Sequence, residues 1–183
     1  VRPTGKKAAV LRAKVQLTPS IWQLDYEVDA EIDDYAPGQF ARLRVADGEW
    51  RDYSIAGVEG RSVRFLISTR TGGIGSHYVE AVQPSDATEL ELPLGRFALV
   101  PNAHRKVFVA TGTGLAPFLP MFSAMQQEGS LDRAALLFGC RTHATSGMAV
   151  VAEHIVQRRL EVGIREPLHD HAVHPRHLRG NRS

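Results

Sequence analysis

Cysteine is nearly absent from this sequence, which also lacks long apolar runs and an excess of either charge. Its 183 residues include one cysteine, Cys140, which excludes an intrachain disulfide and an iron–sulfur cluster held by four cysteines of this chain. No apolar run approaches the roughly 20 residues of a transmembrane helix, and residues 1–7 lack the apolar core of a signal peptide. The 22 basic and 20 acidic residues give a net charge of +2, so neither nucleic acid nor a membrane is expected as the main partner. We therefore expect a cytoplasmic globular protein.

The first hundred residues carry the pattern of a small antiparallel β-barrel. Turn signals such as Pro37-Gly38 and Asp47-Gly48 separate short runs that alternate or are rich in β-branched and aromatic residues. A short helix is expected directly after a glycine cluster, at residues 74–82. The predicted strands are residues 9–17, 21–30, 39–45, 50–56, 62–69 and 88–92. We predict an antiparallel six-stranded barrel over residues 1–100.

The pattern changes near His104 to that of an α/β domain. Residues 106–110 and 134–138 are short apolar runs typical of buried parallel strands. Between them, residues 115–127 suit a helix with its prolines near the first turn, where a missing N–H costs least. We predict a linker at residues 96–105 and a partial α/β nucleotide-binding domain over residues 101–183. A helix is expected at residues 150–160 and an irregular His- and Arg-rich tail from about residue 163.

The motif Arg51-Asp52-Tyr53-Ser54 combines a cation, an aromatic face and a hydroxyl. A guanidinium can donate two parallel hydrogen bonds to a pyrophosphate. The tyrosine ring can cover a flavin, and the serine hydroxyl can bond to flavin N5, the atom that accepts hydride. Tyr53 and Ser54 are therefore candidate catalytic residues. The alternative is an ordinary Arg/Tyr surface pair on a barrel strand.

Two glycine clusters lie where backbone can approach a ligand. Gly72-Gly73-Ile74-Gly75-Ser76 opens the first predicted helix, whose free N–H groups can bind an anion, although a flexible loop with a Ser N-cap is the alternative. Gly112-Thr113-Gly114 follows a buried strand, the position at which α/β sheets bind nucleotides. It is not the Rossmann fingerprint, because Pro117 stands at the third glycine position, and a tight turn remains the alternative.

The end of the second parallel strand and the tail hold further candidates. Gly139-Cys140-Arg141 can contact a nucleotide, with Arg141 available for a phosphate, although a lone buried cysteine is usually inert packing. The tail histidines, His169, His171, His174 and His177, have spacings that could bind a metal. Solvated irregular chain, or a shifted reading frame in GC-rich DNA, explains them as well, so we predict no metal site.

Together and in this order, the motifs resemble the ferredoxin–NADP⁺ reductase family, most closely its oxygenase-reductase branch. Arg51-Asp52-Tyr53-Ser54 is similar to the family's Arg-x-Tyr-Ser/Thr flavin motif, and Gly73-Ile74-Gly75-Ser76 to its Gly-x-x-Ser pyrophosphate motif. The resemblance implies FAD contacts at Arg51, Tyr53, Ser54, Leu66, Ile67, Ser68, Gly72, Gly73, Ile74, Gly75 and Ser76. It implies NAD(P) contacts at Thr111, Gly112, Thr113, Gly114, Pro117, Gly139, Cys140 and Arg141.

The resemblance also implies an activity and a partner. We expect a two-domain enzyme that transfers hydride from NADH or NADPH to FAD and then single electrons to an iron–sulfur partner, a ferredoxin or an oxygenase component. Ser54 would lie nearest N5, Tyr53 would stack on the ring and Arg51 would hold the pyrophosphate. After Arg141 the family's Asp-hydrophobic-x-Tyr element and later Cys-Gly-Pro motif have no counterpart. We therefore expect a truncated or altered nucleotide domain. The alternative function is a flavin-binding module without NAD(P)H turnover.

Overall fold

The computed structural model describes residues 5–139 and the backbone of residues 161–165. Six strands come first, with one helix before the last of them, and a second unit of strand, helix and two further strands follows. The elements are β1 Gly5–Thr18, β2 Ile21–Val28, β3 Phe40–Ala46, β4 Glu49–Glu59, β5 Ser62–Ser68, α1 Ile74–Ala81, β6 Ala87–Leu94, β7 Lys106–Thr111, α2 Phe118–Gln127, β8 Ala134–Gly139 and β9 Glu161–Arg165.

Strands β1 to β6 form a closed barrel in the order β1-β2-β5-β4-β3-β6, with every pairing antiparallel. Tight turns make the closure possible: Gly48 (φ 73°) joins β3 to β4, and Gly60 (φ 57°) joins β4 to β5. Alternate side chains point inward and are fully buried, among them Leu11, Leu24, Leu43, Ile55, Phe65 and Leu90. The six-stranded antiparallel barrel predicted from the sequence is therefore confirmed.

The second unit is a parallel sheet in the order β7-β8-β9, with α2 on one face. Phe108, Leu136 and Phe138 on that face are buried together with apolar side chains of α2 such as Phe122. The same apolar cluster includes Leu66 of β5, so the second unit packs directly against the barrel. This packing brings the carboxyl end of β7 close to β5. The predicted strand–helix–strand unit is confirmed.

Helix α2 begins at Phe118, three residues later than predicted. Residues Gly112–Leu115 instead form a 3₁₀ turn, which starts at a glycine with φ 51°. Pro117 is the N-cap of α2, and Pro120 lies in its first turn, where a missing N–H leaves no intrahelical bond unmade. The positive φ of Gly112, which glycine adopts without strain, and the 3₁₀ turn therefore separate the strand from the helix.

Strand β9 was not predicted, because the sequence from about residue 163 was expected to be irregular. The backbone of Glu161–Arg165 pairs in parallel with β8, with Val162 opposite Leu136 and Ile164 opposite Phe138. Five residues with a central glycine give a weak local strand signal, and pairing with the neighbouring strand decides the structure. The predicted helix at residues 150–160 and the four tail histidines lie outside the described residues. Within the described part, no helix is long and apolar enough to cross a membrane.

Candidate functional site

A cleft of about 350 Å³ opens on the barrel where β4, β5 and the start of α1 meet. Its volume falls within the range of about 300–1,000 Å³ that is typical of small-molecule sites. One residue of the second unit, Thr113, reaches it from the turn that follows β7. The residues that line the cleft are Arg51, Asp52, Tyr53, Leu66, Ile67, Ser68, Thr71, Gly73, Ile74, Gly75, Ser76 and Thr113.

The cleft brings together most of the residues predicted to contact FAD, with two exceptions. Ser54 is half-buried on β4, opposite Phe40 of β3, and is not part of the cleft lining. Gly72 is also outside the lining and has φ 62°, so it shapes the turn that leads into α1. Asp52 and Thr71 line the cleft although the sequence analysis assigned them no role. The only available signal was their position inside or beside a predicted motif.

Arg51 lies at the cleft with one of its guanidinium nitrogens already engaged. Its Nη1 donates to the Glu49 carboxylate at 3.0 Å and to the Trp50 carbonyl at 2.7 Å. Both charged side chains are about half exposed, at 44% for Arg51 and 51% for Glu49. Water screens such a pair strongly, so the ion pair adds little stability.

Tyr53 forms one wall of the cleft and is held by its neighbours. Its ring lies 6.4 Å from the Phe65 ring, centroid to centroid, at an interplanar angle of 59°. Its hydroxyl lies so close to Gly75 that a Cβ at that position would collide with it. Burial raises the pKa of Tyr53 above its ordinary value, and the nearby Arg51 only partly opposes this. The phenol is therefore neutral at neutral pH and can both donate a hydrogen bond and offer an aromatic face.

The start of α1 presents backbone N–H groups at one end of the cleft. The helix has no side-chain cap, so the first backbone N–H groups of its N-terminal turn have no side-chain acceptor. The N-cap is Gly73, where an added Cβ would meet no heavy atom within 4 Å. Free N–H groups and the positive end of the helix dipole favour a phosphate here. Because no protein atom fills the space beside Gly73, a ligand can approach its backbone closely.

A hydroxyl pair lies beside this helix end. The Oγ1 of Thr71 and the Oγ of Ser76 are 3.2 Å apart, and either can be the donor. Ser76 is buried, with 3% of its surface exposed, although it lines the cleft. The alternative of a Ser N-cap is wrong, since Ser76 is the third residue of the helix and Gly73 is the cap.

Of the residues predicted to contact NAD(P), those that the structure describes lie at the carboxyl ends of β7 and β8 and in the segment from β7 to the cap of α2. Thr113 lines the cleft, while Gly114 is exposed and an added Cβ there would meet nothing within 4 Å. Gly139 has a packing reason to be glycine, since an added Cβ would lie 2.9 Å from Cγ2 of Thr111 on the paired strand.

Cys140 and Arg141 lie outside the described residues. The described residues contain no group of three or more His, Cys, Asp or Glu side chains arranged to hold a metal ion.

Residues 8–99 match the model of the oxidoreductase FAD-binding domain family. Over 134 residues the chain is 35% identical to the anthranilate 1,2-dioxygenase electron transfer component of Acinetobacter baylyi, which covers 71% of this chain and 39% of that protein. It is also 35% identical over 132 residues to ferredoxin–NADP reductase B of Sorangium cellulosum, covering 68% of this chain and 54% of the relative. The chain therefore spans only 39% and 54% of the lengths of these two relatives.

Solved structures share the fold at lower sequence identity. The Amycolatopsis cytochrome P450 reductase GcoB superposes with a TM-score of 0.80 at 21% identity, over 92% of this chain and 55% of that one. A phthalate dioxygenase reductase superposes with a TM-score of 0.76 at 22% identity, over 91% of this chain and 53% of that one. At these identities the likeness supports the fold: an antiparallel barrel followed by an α/β region.

Proposed function

Because the chain belongs to the oxidoreductase FAD-binding domain family, we propose that its cleft binds FAD and that the protein is a flavin-dependent NAD(P)H oxidoreductase. One observation carries this proposal. A single cleft is lined by a cation, an aromatic ring, a helix N-terminus and, from the other unit, Thr113. A flavin nucleotide needs an aromatic wall and a phosphate site side by side, and a reductase also needs the second nucleotide to reach the same place.

The residues of the cleft fit the two chemical parts of FAD. Arg51 and the free N–H groups at the start of α1 would hold the diphosphate, since both favour negative charge. Tyr53 would cover the flavin ring, and the β5 residues Leu66, Ile67 and Ser68 would make further contacts with the flavin. In this proposal Ser54 keeps its predicted role as the hydrogen-bond partner of N5.

The chain's own task would be to bind and orient. When bound, FAD accepts a hydride from NADH or NADPH and passes its electrons on singly. Thr113 and the neighbouring Gly112 and Gly114 would let the nicotinamide nucleotide approach the cleft from the carboxyl end of β7. Because a relative is named as the electron transfer component of a dioxygenase, we propose an iron–sulfur partner, a ferredoxin or an oxygenase component, as the electron acceptor.

A second candidate function is a flavin-binding module without NAD(P)H turnover. The observation that favours it is the extent of the family match, which covers residues 8–99 and thus the barrel without β7 and β8. The two functions share the flavin site and differ in whether the Gly112 turn delivers a reductant.

An anaerobic titration separates them. The purified chain is loaded with FAD, freed of unbound flavin, and mixed with NADH or NADPH up to millimolar concentration while the visible flavin absorbance is followed. Bleaching supports the oxidoreductase. Unchanged absorbance with either nucleotide, in a sample that dithionite does bleach, supports the module instead. If the folded chain retains no flavin at all, both candidates fail.

A further inference from the structure

The hydroxyl of Thr71 is a feature of the cleft that neither the motifs nor the proposed roles explain. Thr71 lies in the turn between β5 and α1 and lines the cleft together with Ser76. Their hydroxyl oxygens are 3.2 Å apart. No other hydrogen bond of the Ser76 side chain is found among the described residues. The buried Ser76 hydroxyl thus depends on Thr71 for its orientation.

The two hydroxyls belong to segments whose backbone is fixed by hydrogen bonds. The N–H of Thr69 donates to the Ser20 carbonyl at 2.9 Å, which ties the turn to the start of β2. The N–H of Gly72 donates back to the Thr69 carbonyl at 3.3 Å, so the turn closes around Thr71. Ser76 lies in the first turn of α1, where regular helix bonding fixes its position. The pair is therefore set by two anchored segments and not by one flexible loop.

The direction of the bond between the hydroxyls follows from the ligand. A hydroxyl has one proton to donate and can accept at its oxygen, whereas an ionised phosphate oxygen only accepts. If Ser76 donates its proton to a phosphate oxygen, its own oxygen must accept the proton of Thr71. The order of donation is then Thr71 to Ser76 to phosphate.

Building on the proposed FAD site, we propose that Thr71 is a positioning residue for phosphate recognition, acting through Ser76. Its hydroxyl turns the Ser76 proton towards the anion. It also strengthens that donor, because successive hydrogen bonds polarise one another and a bond to a charged acceptor is stronger than a neutral one. The contribution of Thr71 to binding is confined to ligands that carry a phosphate group. The pair thus helps the cleft to distinguish a flavin nucleotide from riboflavin.

The test compares FAD with riboflavin in four variants: Thr71→Val, Thr71→Ser, Ser76→Ala and the Thr71→Val/Ser76→Ala double variant. Valine keeps the shape of threonine and removes its hydroxyl, while serine keeps the hydroxyl. Dissociation constants are measured by flavin fluorescence, and a thermal melt of each variant checks folding. We expect Thr71→Val to weaken FAD binding by about three- to tenfold, as the loss of one net hydrogen bond does. Riboflavin binding should not change, and Thr71→Ser should bind FAD like the wild type.

The double variant tests whether the two hydroxyls act in series. We expect it to bind FAD no more weakly than Ser76→Ala alone, because Thr71 has nothing to orient once the Ser76 hydroxyl is gone. An equal loss for FAD and riboflavin in Thr71→Val, an unchanged FAD affinity, or additive losses in the double variant would each overturn the role of Thr71. A folded wild-type chain that binds no FAD would instead overturn the proposed flavin site.

Discussion

Replacing Gly73 with alanine tests whether this position is glycine because the fold requires it or because a bound ligand does. Gly73 has φ −82° and ψ −178°, an extended conformation that any residue adopts. An added Cβ there would meet no heavy atom within 4 Å, yet the residue lines the cleft at the start of α1. Nothing in the protein resists the new methyl group, so only a ligand lying against this backbone would.

The expected effects on folding and on binding differ widely in size. Removing a glycine lowers the entropy of the unfolded chain and stabilises by about 0.4–1 kcal/mol. Alanine is a poorer N-cap than glycine by a similar amount, roughly 0.5–1 kcal/mol. These contributions oppose each other, so the free energy of unfolding should change by less than about 1 kcal/mol. A methyl group that displaces the diphosphate from one charge-assisted hydrogen bond should weaken FAD binding by about 1.5–3 kcal/mol, or roughly ten- to 150-fold.

The assay measures FAD affinity by flavin fluorescence and stability by thermal unfolding of the ligand-free chain. Gly114→Ala is the matched control, because an added Cβ there also meets nothing within 4 Å and the backbone does not have positive φ. It should leave FAD affinity unchanged and reduce only the rate of flavin bleaching by NADH or NADPH. FAD affinity in Gly73→Ala within twofold of the wild type would refute a diphosphate at the start of α1. A collapse in stability would refute the claim that the space is open.

Two further substitutions probe charge in the cleft and burial in the barrel. Glu49→Gln should tighten FAD binding by about two- to fivefold, because the carboxylate competes with the diphosphate for Nη1 of Arg51 through an exposed pair that itself contributes little. The control is Glu89→Gln, which breaks the ion pair with Arg44 away from the cleft. Weaker FAD binding in Glu49→Gln would contradict the prediction and show that Glu49 holds the Arg51 guanidinium in place. Burial, with help from the Tyr78 hydroxyl 3.0 Å away, raises the pKa of Tyr26 above its ordinary value, so the folded chain holds this proton more tightly than the unfolded chain does. The free energy of unfolding should therefore fall as pH rises above about 10. Tyr26→Phe should reduce that fall and should cost about 1 kcal/mol of stability at neutral pH. Thermal melts in which Tyr26→Phe loses stability above about pH 10 as steeply as the wild type would contradict this role of Tyr26.

The barrel could be predicted because its signals are local. Gly48 and Gly60 mark turns that need positive φ, and β3 alternates buried and more exposed side chains along its length. Strand β9 could not be predicted in this way. Its five residues become a strand by pairing with β8, which lies more than twenty residues earlier in the chain.

The sequence predicted the motifs that form the candidate site, but not every residue that lines it. Arg51, Tyr53 and Gly73 belong to short motifs, and barrel closure carries those motifs to one cleft. Thr71 lines the same cleft although it lies outside every motif, in a turn before α1 that closes through the bond from the Gly72 N–H to the Thr69 carbonyl. Ser54 is inside a motif but outside the lining, although its strand neighbours Arg51, Asp52 and Tyr53 all line the cleft, so the position of a residue along the strand does not by itself decide membership. Which face becomes the ligand side is decided by the closed barrel.

The most direct test of the flavin site is an equilibrium titration of FAD into the purified wild-type chain and into Arg51→Ala. Arg51 lies half exposed at the cleft, so its removal should leave the thermal stability almost unchanged. We expect saturable one-to-one binding by the wild type and an affinity at least about tenfold lower in Arg51→Ala, since a hydrogen bond to a charged group is lost. Equal affinities in the two proteins, or no FAD binding by the folded wild type, would contradict a flavin diphosphate site in this cleft.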